Sequence, residues 1–138
     1  MNKDFYYVIG PGTTCKAITA SLGFHTNMLG FDILMNKKLM IMDAGEDEIY
    51  KYVNSGHIKI IISVIGGQGF LLGRGNQQLS RRIIKKAGFE NICVISSPEK
   101  LSGIKGLATD IDDDDIHIPE FIRVLTGYAQ FKIMRINF

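Results

Sequence analysis

Two stretches of this sequence place glycine and hydroxyl or amide side chains where chemistry on an anion can be done. The first is GPGTT, with Gly10, Gly12, Thr13 and Thr14. The second is IGGQGFLLGRGNQQLS (65–80), which holds five glycines together with Gln68, Arg74, Asn76, Gln77 and Gln78. Each follows an apolar run that reads as a strand and precedes a segment that reads as a helix. Glycine lets successive backbone N–H groups converge on one phosphate. A helix N-terminus adds unpaired donors and a positive dipole end. The candidate phosphate and nucleotide residues are therefore Gly10, Gly12, Thr13, Thr14, Gly66, Gly67, Gln68, Gly69, Arg74, Gly75, Asn76 and Gln77. The amides supply paired donors and acceptors suited to a ribose or a base edge. Thr13 or Thr14 is expected to cap the first helix and Ser80 the second.

Charge placement points the same way. GEDEIYKY opens with Glu46, Asp47 and Glu48, the usual sign for a first helical turn. Lys16, Arg81 and Arg82 instead open the helices after the two glycine stretches, and a bound anion would relieve that conflict. Neither stretch fits G-x-x-x-x-G-K-[ST] or G-x-G-x-x-G, so an ordinary P-loop or dinucleotide fingerprint is absent. Asp32, Asp43 and Asp110 lie in or beside expected strands and are the candidate acids or metal-linked groups. Asp112 to Asp115 lack the glycine and glutamate of a calcium loop. His25, His57 and His117 share no metal spacing, so no metal site is read from spacing alone.

The elements that must position these residues alternate. FYYVIG, KIIISVIG and NICVISS read as strands, CKAITASLG, GEDEIYKYVNSG and SRRIIKKAG as helices. Ala17, Ile18 and Leu22 are expected on the buried face of the first helix. MLGFDIL and KLMIMDA flank Asn36-Lys37 as a hairpin. FIRVLTGYAQFKIMRINF reads as two strands turning near Gly127, and LATDIDDDDIHIPE as irregular and acidic. The expected class is α/β: a mixed, mainly parallel sheet flanked by helices, with an antiparallel C-terminal edge. Residues 1–138 are expected to form one domain, since no repeat or linker divides them.

Composition narrows the function. A chain of 138 residues that is 46% hydrophobic can bury a substantial core. A net charge of +2 without a basic stripe argues against nucleic acid. No apolar run suits a membrane span. The opening MNKDFYYVIG has no signal-peptide pattern, and Cys15 and Cys93 form no C-x-x-C, so a cytoplasmic setting with reduced thiols is expected.

The strings I-G-P-G-T-T, M-L-G-F-D, I-G-G-Q-G-F-L-L-G-R-G-N-Q-Q and L-T-G-Y together resemble the ATP-NAD kinase family, in particular its AcoX-type branch. The resemblance runs along almost the whole chain and implies phosphorylation of the adenosine 2′-hydroxyl of NAD, with ATP and Mg2+ as donor and cofactor. It is a resemblance to the C-terminal half. The G-G-D-G motif of the N-terminal half, whose aspartate the family uses in catalysis, is missing, and Gly66-Gly67-Gln68-Gly69 carries an amide there. Asp43-Ala44-Gly45-Glu46 has glycine where the resemblance implies the asparagine of an Asn-Glu pair. The catalytic residue is thus unassigned, and full activity would need the N-terminal half, whose absence exposes a surface for docking or self-association. Two other readings stay open: a non-catalytic nucleotide-sensing or regulatory module, and a small sugar-phosphate or acyl-CoA enzyme using Asp32, Asp43 or Lys100.

Overall fold

The structure, a computed structural model, describes residues 4–64, 70–72, 78–102, 104, 106–109, 116–127 and 129–137, with the backbone alone for Phe70 and Asn137. The chain runs β1 (Tyr6–Ile9), α1 (Thr13–Ser21), β2 (Phe31–Met35), β3 (Lys38–Ala44), α2 (Glu46–Asn54) and β4 (Ile58–Ser63). It continues through β5 (Phe70–Leu72), α3 (Arg81–Ala87), a 3-10 turn (Phe89–Asn91), β6 (Ile92–Ile95), α4 (Pro98–Leu101), β7 (Leu107–Thr109), β8 (Phe121–Gly127) and β9 (Gln130–Asn137).

The nine strands form one mixed sheet in the order β3-β2-β1-β4-β6-β8-β9-β7-β5. Its centre is parallel: β1 with β4, β4 with β6, β6 with β8. β2 and β3 add antiparallel strands on one side and β9 turns back on β8 on the other. This is the expected α/β class. The run of isoleucines in β4 suits a strand of the parallel centre, flanked by β1 and β6 and covered on both faces. Ile58, Ile60 and Ile62 point to one face and join Val8, Val94 and Val124, beneath Ile49 and Val53 of α2 and Ile83 and Ile84 of α3. Ile61 points to the other face with Ile9 and Leu34, under Cys15, Ile18 and Leu22 of and beside α1. Each fully buried isoleucine or leucine contributes roughly 1.5–3 kcal/mol, which short helices of this kind need because their intrinsic stability is marginal.

Three details depart from the sequence reading. Ala17 is exposed, and Cys15, Lys16 and Thr19 are the buried residues of α1. The helix is turned so that Cys15 meets the sheet and Lys16 reaches a partner described below. The long glycine stretch is not one loop, because Phe70–Leu72 forms a strand inside it and Leu71 and Leu72 are fully buried. Leu107–Thr109, expected to be irregular, pairs with β5 and β9. Both strands are three residues long, too short for an alternating pattern to register. The β2–β3 hairpin is as expected, with Asn36 (φ 53°) and Lys37 (φ 62°) both left-handed in a turn that matches strand twist.

Candidate functional site

The parallel centre gathers the carboxyl ends of β1, β4 and β6 at one edge, followed by Gly10, Val64 and Ser96. The antiparallel neighbours contribute to the same edge from the opposite direction. Asp32, near the start of β2, pairs with Ile9 at the end of β1. Ala44, at the end of β3, pairs with Phe31. Crevices at such edges are where open α/β sheets take ligands.

The GPGTT turn is built by close backbone approach. Gly10 donates its N–H to the Ile61 carbonyl at 2.8 Å, and Gly12 donates to the Met28 carbonyl at 2.9 Å. Gly12 has φ 98°, which side chains rarely adopt, and it is the N-cap of α1. Its carbonyl accepts the first helical bond, from Lys16 N–H, at 2.9 Å. Glycine at the cap has no side chain to bond the following N–H groups, and α1 has no side-chain cap hydrogen bond. Thr13 and Thr14 lie inside the helix, so neither is the expected cap. Thr13 is exposed and Thr14 half-buried at the site's rim. By contrast, α2 satisfies its own start with a Glu48 carboxylate accepting Gly45 N–H at 3.1 Å.

Lys16 does not wait for an incoming anion. Its Nζ donates to Asp32 Oδ2 at 2.7 Å and to the Gly30 carbonyl at 2.6 Å, all buried. The second oxygen of Asp32 accepts Asp43 N–H at 3.0 Å. Arg82 is likewise answered within the chain: its Nε donates to Glu46 Oε2 at 2.7 Å and a terminal nitrogen to Asp47 Oδ1 at 2.8 Å. The guanidinium also lies 4.0 Å over the Tyr50 ring. The expectation that an external anion relieves these first-turn cations is therefore corrected for Lys16 and Arg82. Ser80 is the N-cap residue of α3, as expected, but its hydroxyl donates to Glu46 and makes no cap bond to the helix.

Asp43 differs from Asp32 in being exposed, with its carboxylate standing over Gly30, where any Cβ would collide with it. Asp110 lies outside the described residues, as do Gly66, Gly67, Gln68, Gly69, Arg74, Gly75, Asn76 and Gln77. The structure thus brings Gly10, Gly12, Thr13, Thr14, Asp32 and Asp43 to one edge. Lys100, at α4, makes its backbone bonds with Ser97.

The whole pattern matches a known family: residues 2–136 fit the ATP-NAD kinase C-terminal domain. The chain belongs to that family. Among curated proteins and among solved structures, no match is found.

A C-terminal domain of this family implies ATP, a divalent cation and NAD. The amino end of α1 suits a phosphate, with uncapped N–H groups and a Thr13 hydroxyl at hand. The described residues do not suit a protein-built cation site. No group of three or more His, Cys, Asp or Glu side chains comes together among them, and both oxygens of Asp32 are engaged by Lys16 and Asp43.

Sequence reasoning missed the Lys16–Asp32 pair and the buried serines at two strand ends, Ser63 and Ser96. The available signal was a lone serine inside the apolar run of β4 for Ser63, and a serine closing the run of β6 for Ser96. Ser63 Oγ lies 3.5 Å from the Pro11 carbonyl, and Ser96 donates its hydroxyl to the Ser97 carbonyl at 3.1 Å. Burial pushes the Cys15 thiol beside Ser63 above its ordinary value, which disfavours the thiolate. No helix of the described residues is long and apolar enough to cross a membrane.

Proposed function

We propose that this chain is the nucleotide-binding C-terminal portion of an ATP-NAD kinase-like protein of the AcoX-type branch. When complete, such a protein transfers a phosphoryl group from ATP to the adenosine 2′-hydroxyl of NAD, in the cytoplasm. The observation that carries the reading is the glycine-capped amino end of α1, open at the carboxyl edge of the parallel strands, in a chain whose family is ATP-NAD kinase. The residues we assign to phosphate and nucleotide are Gly10, Gly12, Thr13 and Thr14 from the described edge. From the sequence alone we add Gly66, Gly67, Gln68, Gly69, Arg74, Gly75, Asn76 and Gln77.

Calorimetric titration with NAD, and separately with ATP and Mg2+, tests the reading. Saturable NAD binding is expected, weakened in Arg74→Ala by ~1–3 kcal/mol through loss of a charge-assisted hydrogen bond. No binding of either nucleotide would refute it.

One observation favours a second reading, a nucleotide-sensing module without catalysis. The buried carboxylate at the edge is spent on Lys16. Supplying the family's N-terminal half in trans separates the two. Recovery of NADP formation supports the kinase, whereas NAD binding without NADP formation supports the sensor.

A further inference from the structure

The face of the sheet that carries α1 is covered over only part of its width. The apolar cluster beneath α1 takes in Ile9, Leu34 and Ile61 and ends at Ile95 of β6. Ile95 pairs with Leu125 of β8, so Leu125 is the next side chain along that face. The β8–β9 register carries the face onward, with Leu125 opposite Phe131, Arg123 opposite Ile133 and Phe121 opposite Arg135. Val124 and Met134 point the other way, into the main core.

An antiparallel pair open to water on one face places polar residues there and apolar ones inside. β8 and β9 do not. Phe121, Phe131 and Ile133 are 52%, 49% and 61% exposed, and Leu125 is exposed beside them. A contiguous apolar patch of this kind marks an interaction surface. The groove of about 500 Å³ that holds Cys93 and His117 shares Arg123 and Leu125 with it.

Charge and shape select the occupant. Arg123 lies 4.7 Å over the Phe131 ring. Glu90 lines the same groove but forms no ion pair with it. Arg135 meets Glu120 at 3.5 Å, with both side chains largely exposed. A second copy stacked on this face would set four arginines against two glutamates, so a partner that brings carboxylates fits better. β8 and β9 run for seven and eight residues, a strip roughly 10 Å wide and 23 Å long. One helix of about 15 residues has that width and length.

We propose that the β8–β9 face binds a helix of a partner protein whose apolar stripe is flanked by aspartate or glutamate. The stripe covers Leu125, Phe131 and Ile133, and the acids answer Arg123 and Arg135.

The test titrates two labelled synthetic helices of about 15 residues into the full chain, read by fluorescence anisotropy. Both carry the same leucine stripe, one flanked by glutamate and the other by lysine. The glutamate helix should bind saturably and lose affinity as salt rises, and the lysine helix should bind at least about tenfold more weakly. Arg123→Glu should reverse that preference. Ile133→Asp changes a side chain exposed to water, so it should abolish binding and leave the thermal melt unchanged. The bound glutamate helix should also shield Cys93 from a disulfide reagent. No binding of the glutamate helix, equal affinity for the two, or binding that survives Ile133→Asp overturns the assignment. Sedimentation equilibrium tests the other occupant: a dimer that Ile133→Asp dissolves would place a second copy on this face and overturn the proposal.

Discussion

Glu46, the first residue of α2, holds Arg82 of α3 through both carboxylate oxygens. The pair ties the starts of two helices whose residues lie 36 positions apart in sequence. The hydrogen bonds from Arg82 and then Ser80 take the Glu46 carboxyl down to about 2. A depressed folded-state value means that the contribution is complete above the ordinary value of 4.5 and fades as pH falls toward 2. Urea midpoints of the wild type and Glu46→Gln should therefore differ at pH 6 and converge as pH approaches 2. Parallel curves across that window would show that the pair contributes nothing pH-linked.

Lys16 and Asp32 make a different kind of pair, with side chains 7% and 0% exposed. Lys16→Met leaves a charged or reprotonated carboxyl in the core and should cost about 3–5 kcal/mol. The joint change Lys16→Met with Asp32→Leu removes both charges and should recover most of that loss. Equilibrium urea denaturation measures both. If the single change costs under about 1 kcal/mol, water reaches the pair.

Gly30 is required by packing. A Cβ there would meet the Asp43 carboxylate and lie 3.2 Å from Asp43 Cα. Gly30→Ala should destabilise the fold by about 1–3 kcal/mol, the usual cost of overpacking. Adding Asp43→Gly removes the carboxylate and should restore part of it. Equal stability of Gly30→Ala and the wild type in a thermal melt would mean that β3 shifts without cost.

The two thiols should separate kinetically. Burial pushes both above the ordinary thiol value. Cys15 is fully buried, whereas Cys93 lines an open groove of about 500 Å³ with Phe89, His117 and Arg123. A disulfide reagent at pH 8 should modify Cys93 slowly in the native protein and Cys15 only as the chain unfolds. Similar rates at both thiols would contradict this placement of α1.

Much of the fold was legible because period and punctuation agree locally. The isoleucines of β4, the acids opening α2 and the Asn36-Lys37 turn each carry their element in a few adjacent residues. The short strands β5 and β7 were not legible, since three residues carry no period and their partners are distant in sequence. The glycine turn at Gly12 was visible from its residues as a junction between a strand and a helix. The role of Lys16 was not: its position predicts a cation at a positive dipole end, and only the antiparallel placement of β2 brings Asp32 within 2.7 Å. Asp43 was singled out as a strand-end acid. That it occupies a bulge, with its N–H fixed by Asp32, depends on strand register, which composition does not encode.

The place of β9 constrains how the molecule can be made. It is synthesised after β5 and β7, yet it lies between β8 and β7 in the sheet, with Ile136 facing Leu107 and Asn137 facing Ala108. During vectorial synthesis β1 to β4 can pair while the ribosome is still working, but β5 and β7 have no seat in the sheet until residue 137 is released from the exit tunnel. Pulse-labelled hydrogen exchange on stalled nascent chains should find Leu72 and Leu107 unprotected until that point. Protection of both at shorter lengths would show that they assemble as a separate nucleus.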